Sequence, residues 1–461
     1  LDFVRPKTTP HPTQRKNVLL SINDSVRFTP QEKPVLILIL LTYFMILLDS
    51  SIVFTSIPVM KTDLGLSAAE MSWVQDAYTL AFGGALLLGA QLGEVWGRTR
   101  VFLGGLIVFA VASLIVGVAS TAHILIAARA LQGLGAAVVA PTSLTLITAV
   151  FHDTVKRTRA TAAYGTMAGL GSSGGMLIGG LITTFLSWRF GFWINVPIAV
   201  VVLVLAVRFL PALPPRPGRF DVLGAVLLTG SMFLITLALV ERSVLPGIIG
   251  AIVLVTAVAW ERKASVPILP EHLWHHRVRG LTLIARLLFA ASLFGMLFMT
   301  AQYFELTLGY SALTAGLLML VNCVPHGATG IMVSSLVTRF GLRRLLLTGL
   351  ASTAAGLGLI AWGMHGSLPI LLLGMVLAGL GQGASFGPIT SVGIWQSSPS
   401  EAGAASGIVN TGHQMGATMG VAGLTSLLAF NPHYSTPLAV SAILMVVALL
   451  VMLAATRELE N

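Results

Sequence analysis

The chain has 461 residues, of which 10% are charged and 55% are hydrophobic, and its formal net charge is +10. Because an ordinary soluble domain is about 25% charged, this composition excludes a soluble globular protein and indicates a membrane protein. The single cysteine, Cys323, excludes an internal disulfide framework and a cysteine-based metal site.

The predicted elements, in chain order, are a tail and fourteen apolar runs, each about long enough to cross a bilayer as a helix. Residues 1–33 are polar and basic, and we expect a cytoplasmic tail. The first six spans lie in 34–210 and are 35–59, 73–93, 101–120, 123–150, 161–186 and 190–209. Two shorter spans, 222–240 and 244–260, lie in 211–262.

The second half of the chain repeats this organisation after an amphiphilic stretch, 263–280, which we expect to be a cytoplasmic linker. Six further spans lie in 281–456 and are 281–303, 313–338, 343–363, 368–389, 403–430 and 435–456. Residues 457–461 are the predicted cytoplasmic C-terminus. The fold class expected is an all-α integral membrane protein with fourteen transmembrane helices.

The basic residues are concentrated in alternate loops, whereas the other loops hold only Lys61, Arg189 and Arg242. Lys and Arg in short loops stay on the cytoplasmic side, so both termini are predicted to be cytoplasmic in a multi-pass protein of the cell membrane. Charges distributed in this way do not form a patch for nucleic acid. Membrane lipids are the expected surroundings, and we expect a monomer.

An internal repeat relates the two halves. "LGEVWGRTR" (92–100) follows the second span, and "LVTRFGLRR" (336–344) follows the second of the last six, with an aromatic residue, a glycine and two basic residues in register. Two six-helix bundles related by pseudo-symmetry are predicted, joined by the extra pair of helices, with a substrate path between them at mid-membrane.

Several motifs resemble the major facilitator superfamily, and within it the fourteen-span drug:proton antiporters. They are "LDSSIVFTSIP", "WVQDAYTL", "ARALQGLGAAVVAP", "SWRFGFWINVPIA" and "YFELTLGYSALTAGLLML", and the similarity covers about residues 35–456. The resemblance implies the major facilitator fold and drug export in exchange for protons. It also implies a gating motif in the loop after the second span, formed by Gly93, Glu94, Gly97, Arg98 and Arg100.

The chain departs from the branch at three places. In the loop motif, Ala90, Glu94 and Val95 replace the usual Gly, Asp and Arg. In the fifth span, Met176 stands at the proline position of the antiporter motif, and in "NTGHQMG" His413 stands at an arginine position. These departures leave room for a different cargo.

Asp49 is the first ionisable residue inside an apolar run. It lies about fourteen residues, or roughly 20 Å, from the predicted cytoplasmic boundary. A mid-membrane acid costs about 2.5–3.5 kcal/mol on insertion scales and persists when it faces a cavity or a partner. We expect Asp49 to be the main proton-coupling or cation-binding site, and the alternative is a buried structural partner for helix packing.

Asp76 and Arg129 are the expected assistants of Asp49. Asp76 falls in the first turn of the second predicted span, where it either caps the helix or forms a second acidic site at the outer mouth. Arg129 cannot carry a proton, so it either tunes a neighbouring carboxylate in a proton network, or it snorkels or makes structural bonds.

Four further ionisable residues lie in or next to the predicted spans of the second half of the chain. Arg286 lies five residues into its predicted span, which predicts that its side chain snorkels to the cytoplasmic face. Glu305 is expected to be solvated at the outer interface. His326 and His413 titrate in the physiological range and lie near mid-span, which makes them either pocket residues or satisfied packing residues.

Small and aromatic residues complete the predicted site. Glycines at four-residue spacing in the fifth span allow close helix approach, and we predict that they form a hinge between the bundles: Gly171, Gly175, Gly179 and Gly180. From helix position, the substrate pocket is expected to include the following side chains together with the two histidines: Tyr43, Tyr164, Phe294 and Phe298.

The favoured function is a proton-coupled secondary transporter that exports amphiphilic or cationic drugs by alternating access. No Walker loop, paired catalytic acid or nucleophile triad stands out, so we expect neither an enzyme nor a cofactor. One alternative keeps the fold and moves lipids or other lipid-like amphiphiles through lateral openings. Another is a non-transporting membrane sensor or scaffold.

Overall fold

The computed structural model describes residues 28–151, 153–210, 221–264, 267, 276–395 and 402–457. Its helices fall into two sets separated by a helix pair. The first set is α1 Glu32–Leu64, α2 Ala68–Trp96, α3 Arg98–Val118, α4 Ala122–Val150, α5 Thr154–Phe185, α6 Trp188–Trp193 and α7 Asn195–Phe209, with α6 and α7 forming one span.

The helix pair and the second set follow in the chain. The pair is α8 Val222–Glu241 and α9 Val244–Glu261. The second set is α10 Arg277–Gln302, extended by a π-helical turn Tyr303–Thr307, then α11 Ala312–Phe340, α12 Leu342–Gly363, α13 Leu368–Gly393, α14 Ala402–Phe430 and α15 Ser435–Thr456. The described residues thus form fourteen crossing segments, which confirms the predicted all-α architecture.

Hydropathy alone identifies eleven helices of the described residues as long and apolar enough to cross a membrane. The three crossing segments outside that set are α2, α5 and α14, which have 29, 32 and 29 residues. These helices form the contact between the two sets, because α2 packs on α14 and α5 packs on α11. A helix that faces another bundle rather than lipid carries small and polar residues, which lowers its hydropathy.

Polar caps set the beginnings of helices. Ser67 and Glu70 form a capping box at the start of α2, and Asp153 accepts a hydrogen bond from the Lys156 amide at the start of α5. Two equivalent turns use a glycine with positive φ. Gly97 (φ 93°) joins α2 to α3 and Gly341 (φ 82°) joins α11 to α12, so the repeated loop has the same backbone device in both halves.

We call α1–α7 the N bundle and α10–α15 the C bundle, and we call the end with the two glycine turns the basic end. Of the helix pair, α8 packs on α2 and α14, along the line where the bundles meet, and α9 packs on α8. The domain boundaries assigned from the sequence stay predictions. Most of the predicted tail 1–33, most of the linker 263–280 and nearly all of the C-terminus 457–461 lie outside the described residues.

Candidate functional site

Asp49 lies in α1 at the centre of a buried hydrogen-bond network inside the N bundle. Its Oδ2 accepts a hydrogen bond from Arg129 Nη1 at 2.8 Å, and both side chains are fully buried. Its Oδ1 accepts from Gln132 Nε2 and from Asn195 Nδ2, each at 2.7 Å. The carboxylate is therefore satisfied on both oxygens by donors from α4 and α7.

Arg129 and Gln132 connect this network to two further helices. Its Nε donates to the Val74 carbonyl of α2 at 3.1 Å, and its guanidinium lies 4.3 Å from the centre of the Tyr78 ring. Gln132 also donates to Ser113 Oγ of α3 at 2.8 Å. We call these residues the Asp49 network: Asp49, Ser113, Arg129, Gln132 and Asn195.

The enclosed position of Asp49 favours the structural alternative of the two interpretations. An acid at mid-membrane persists beside a partner or a cavity, and here the partner is an arginine with two amides. A proton on Asp49 would compete with three donors for the same lone pairs. The expectation that Asp49 is the main coupling site stays a prediction, and its surroundings do not support it.

The surroundings of Asp76 differ from those of Asp49. It is the ninth residue of α2, so the interpretation of Asp76 as a helix cap is wrong, and Ser67 caps the helix instead. Its side chain is fully buried, and neither carboxyl oxygen has a hydrogen-bond donor among the described residues. It is separated from Gly83 by seven residues, so both point to the same side of α2.

That side of α2 meets the C bundle. A methyl group added at Gly83 would collide with Gln414 of α14, and Thr79 Oγ1 lies 2.7 Å from Thr418 Oγ1. Asp76 is one turn from Thr79 along the same helix face. The unpartnered acid therefore lies on the face of α2 that forms the boundary between the two bundles.

The predicted glycine hinge is only partly located between the bundles. Methyl groups added at Gly171, Gly175 and Gly179 would meet Leu47, Ser51 and Thr55, which all belong to α1 of the same bundle. Gly180 alone of the four meets the other bundle, at Ala312 and Leu313 of α11. The prediction is wrong for three of the four glycines, because the stripe binds α5 to α1.

Aromatic and histidine side chains gather between the bundles. Tyr43 of α1 stacks on Tyr164 of α5 with ring centres 3.9 Å apart. In the C bundle, the His413 ring lies 5.4 Å from Phe386 and 5.5 Å from Phe294, and His326 lies 6.2 Å from Phe386. We call this group the aromatic cluster: Tyr43, Tyr164, Phe294, His326, Phe386 and His413.

Phe298 and Phe386 differ from the predicted pocket in opposite ways. Phe298 is buried in the apolar core that α10 shares with its neighbours, which is a packing position. Phe386 could not be predicted as a site residue, because a single phenylalanine in an apolar helix does not by itself indicate a binding site. Its position within the aromatic cluster depends on how α10, α11, α13 and α14 pack.

Arg286 lies in the same region, and the prediction that it snorkels is wrong. Its side chain is fully buried, and its guanidinium carbon lies 4.1 Å from the centre of the Phe386 ring. Nη1 donates to the Phe386 carbonyl at 3.1 Å, while Nε and Nη2 have no acceptor among the described residues. The helix begins at Arg277, which places Arg286 one turn deeper than the apolar run suggests.

The predicted gating motif lies at the basic end of the N bundle. Gly93 and Gly97 are buried, Arg98 is half-buried and Arg100 is exposed. The side chain of Glu94 lies outside the described parts of the structure. The role of these five residues stays a prediction.

A separate apolar groove runs between α2, α4 and α8. Its volume is about 870 Å³, and its walls include Trp73, Leu80, Ala127 and Phe233. Glu70, His123 and Glu241 line the end away from the basic loops. The extra helix α8 supplies one wall, so a bundle fold without this helix would lack the groove.

The model of the Major Facilitator Superfamily matches residues 39–325 and 282–460. The chain belongs to this superfamily. Membership makes the protein a multi-pass membrane transporter rather than an enzyme, and it confirms the fold and the family predicted from the motifs.

Relatives with named roles are exporters and resistance proteins. The chain is 36% identical to the cephamycin export protein CmcT of Amycolatopsis lactamdurans, over 85% of this chain and 84% of that protein. It is 34% identical to the puromycin resistance protein pur8 of Streptomyces alboniger, over 85% and 81%. It is 30% identical to the multidrug resistance protein Stp of Mycobacterium tuberculosis, over 84% and 74%. These relatives confirm the resemblance to the drug-exporter branch.

Solved structures show the same fold at low identity. The POT family transporter PepTSo has a TM-score of 0.71 and 15% identity, over 94% of this chain and 98% of that chain. The xylose transporter XylE from E. coli, in a partially occluded inward-open conformation, has a TM-score of 0.65 and 14% identity, over 91% and 97%.

Proposed function

We propose that the protein is a proton-coupled secondary transporter that exports amphiphilic small molecules by alternating access. Its relatives are named for export of cephamycin and for resistance to puromycin and to several drugs. Alternating access would change the packing of α2 on α14 and of α5 on α11. We further propose that the basic end is cytoplasmic, since Lys and Arg in short loops stay on that side.

Asp76 is the observation that carries the proton-coupling proposal. It is a fully buried acid with no donor on either oxygen among the described residues, on the face of α2 toward the other bundle. It can gain or lose a proton without breaking an internal hydrogen bond. Its protonation changes the charge at a boundary that must repack during transport.

We therefore assign the coupling proton to Asp76 and a supporting role to the Asp49 network. This order reverses the expectation from the sequence, in which Asp76 and Arg129 assist Asp49. The network links α1, α2, α3, α4 and α7, so it keeps the N bundle rigid while α2 moves against α14. Each proton that moves down a 100 mV potential supplies about 2.3 kcal/mol, which is enough for more than a tenfold substrate gradient.

The test is transport in proteoliposomes with an imposed pH gradient. Asp76→Asn should abolish uphill accumulation of a fluorescent amphiphile while exchange of the same compound without a gradient continues. Asp63→Asn is the matched control, because Asp63 is a half-exposed acid that already pairs with Arg189 at 2.6 Å. Uphill transport that persists in Asp76→Asn would refute the assignment.

A second candidate function is favoured by the groove between α2, α4 and α8. Its long apolar walls suit an acyl chain, and the carboxylates Glu70 and Glu241 at one end suit an amine-bearing headgroup. Such a protein would move lipids or lipid-like amphiphiles with the same fold. Transport of a labelled phospholipid, with no transport of a panel of drug-like dyes, would favour this candidate over drug export.

A further inference from the structure

We propose that Arg286 binds the acidic group of the transported compound, so that the substrates are aromatic organic anions. That these anions are transported rests on the proposed export function. The proposal adds the class of substrate that binds at Arg286 and the aromatic cluster. It replaces the sequence-based expectation of cationic drugs.

Arg286 has unused donors inside the protein. A guanidinium has five N–H donors, and Nη1 uses one of them on the Phe386 carbonyl. Nε and Nη2 have no acceptor among the described residues, although the side chain is fully buried. A buried charge without a partner is costly. An anion that accepts hydrogen bonds from Nε and Nη2 would therefore stabilise the buried guanidinium.

Among the described residues of the C bundle, no acidic side chain is paired with Arg286. Within residues 281–456 the acidic residues are Glu305 and Glu401. Glu305 lies 19 positions further along the same helical segment, which corresponds to about 28 Å. Glu401 lies outside the described part of the chain, twelve positions before His413 in the sequence.

The two acids that are buried in the described part of the N bundle, Asp49 and Asp76, are also unsuited to neutralise Arg286. Asp49 is engaged by Arg129, Gln132 and Asn195. Asp76 lies on the other side of the Thr79–Thr418 contact from His413, about 12 Å away along the antiparallel helices α2 and α14. Among the described residues, Arg129 of the N bundle is paired with an acid and Arg286 of the C bundle is not, so the two arginines differ in what each can bind.

The surroundings of Arg286 suit a flat organic acid. Phe386 lies against the guanidinium, and His413 and His326 contact the same ring. The stacked pair Tyr43–Tyr164 belongs to the opposite bundle. A carboxylate or sulfonate can bond to the free N–H groups in a fork, while an attached ring stacks on these side chains.

Binding to the purified protein tests the proposal without any transport. The probes are two xanthene dyes of similar ring size, fluorescein, which carries a carboxylate, and a rhodamine ester, which carries a fixed cation. Fluorescein should bind wild type more tightly than the rhodamine ester. Arg286→Gln should weaken fluorescein binding about 10- to 100-fold, the loss expected for a hydrogen-bonded charge, and should leave the rhodamine ester unchanged or bound more tightly.

Two variants separate binding from folding. Arg339→Gln is the matched control, because Arg339 is an exposed arginine 5.3 Å from the Phe340 ring at the end of α11, and fluorescein binding should not change. Arg286→Lys keeps the charge but loses the planar fork, so the preference for the acid should remain with weaker affinity. If Arg286→Gln does not fold, the fluorescein affinity of Arg286→Lys and the preference of the wild type between the two dyes test the proposal.

Three results would overturn the proposal. They are a wild type that prefers the cationic dye, an equal loss of both dyes in Arg286→Gln, and an unchanged affinity for fluorescein in that variant. Failure of proton-driven export is a different result. In that case neither dye accumulates in proteoliposomes, while the preference for the acid and its dependence on Arg286 persist in the binding measurement.

Discussion

The guanidinium of Arg129 donates to the carboxylate of Asp49 at 2.8 Å, and neither side chain is exposed. The two residues are 80 positions apart in the sequence, in α1 and α4, and the pair is enclosed by side chains from the same bundle. Removal of one partner leaves a buried charge that the other partner no longer balances. The pair therefore makes a specific prediction about stability.

Asp49→Asn should destabilise the protein by about 3 kcal/mol or more, since breaking a buried ion pair leaves Arg129 uncompensated. The double variant Asp49→Asn with Arg129→Gln should regain a substantial part of that loss, because both charges are gone. Thermal unfolding of the purified protein in detergent measures both changes. Effects of the two substitutions that simply add would contradict the coupling and would point to independent roles.

The Thr79–Thr418 contact predicts a cross-link between the bundles. In a Cys323→Ser background, Thr79→Cys with Thr418→Cys should form a disulfide, since the two hydroxyl oxygens lie 2.7 Å apart. If α2 and α14 must separate during transport, the oxidised protein should be inactive and a reducing agent should restore transport.

The control cross-link lies inside one bundle. Ser56 Oγ and Thr183 Oγ1 are 3.1 Å apart between α1 and α5 of the N bundle, so the corresponding cysteine pair should cross-link without loss of transport. Equal inhibition by both disulfides would show that the bundles do not move as units. Full activity of the oxidised Thr79–Thr418 variant would show that this contact stays closed throughout transport.

The fifth span predicts two different consequences of adding a methyl group to a glycine. Gly175→Ala should lower the melting temperature, because the new Cβ would lie 2.6 Å from Ser51 Cβ inside the N bundle. Gly180→Ala should mainly reduce transport, because its Cβ would lie 2.7 Å from the Ala312 carbonyl of the other bundle. Measuring both properties for both variants gives the comparison. The reverse pattern would place the moving contact at Gly175.

Much of the fold could be predicted from the sequence, because long apolar runs and alternating basic loops are properties of consecutive residues. All fourteen predicted spans correspond to helices in the described residues. The loop repeat at Gly97 and Gly341 also appears as two turns with positive φ. These features depend on local sequence and on the thickness of the membrane.

The errors at Asp76 and Arg286 have one physical cause. Both predicted depths refer to the start of a predicted span, but α2 begins at Ala68 and α10 begins at Arg277, five and four residues before the spans predicted from 73 and 281. These additional helical residues place both side chains further into their helices than expected. The partners of Asp49 were not predictable, because Gln132 and Asn195 become ligands of its carboxylate only when three helices pack.

The groove between α2, α4 and α8 gives the last prediction, which separates the two candidate functions. Ala127→Trp should fill part of the groove, because Ala127 lines its wall and an indole adds a large apolar side chain. If the groove guides a lipid, this variant should lose most transport of a labelled phospholipid. If the central path carries the substrate, export of a fluorescent amphiphile should remain near the wild-type rate.

Val204→Trp is the control for the groove variant. Val204 of α7 is 59% exposed and does not line the groove, so an added indole there should change neither activity. Loss of dye export in Ala127→Trp, with Val204→Trp active, would show that drug-like substrates also use the groove. Unchanged transport of both compounds in Ala127→Trp would contradict a role for the groove, because the added indole should obstruct any molecule that passes along it.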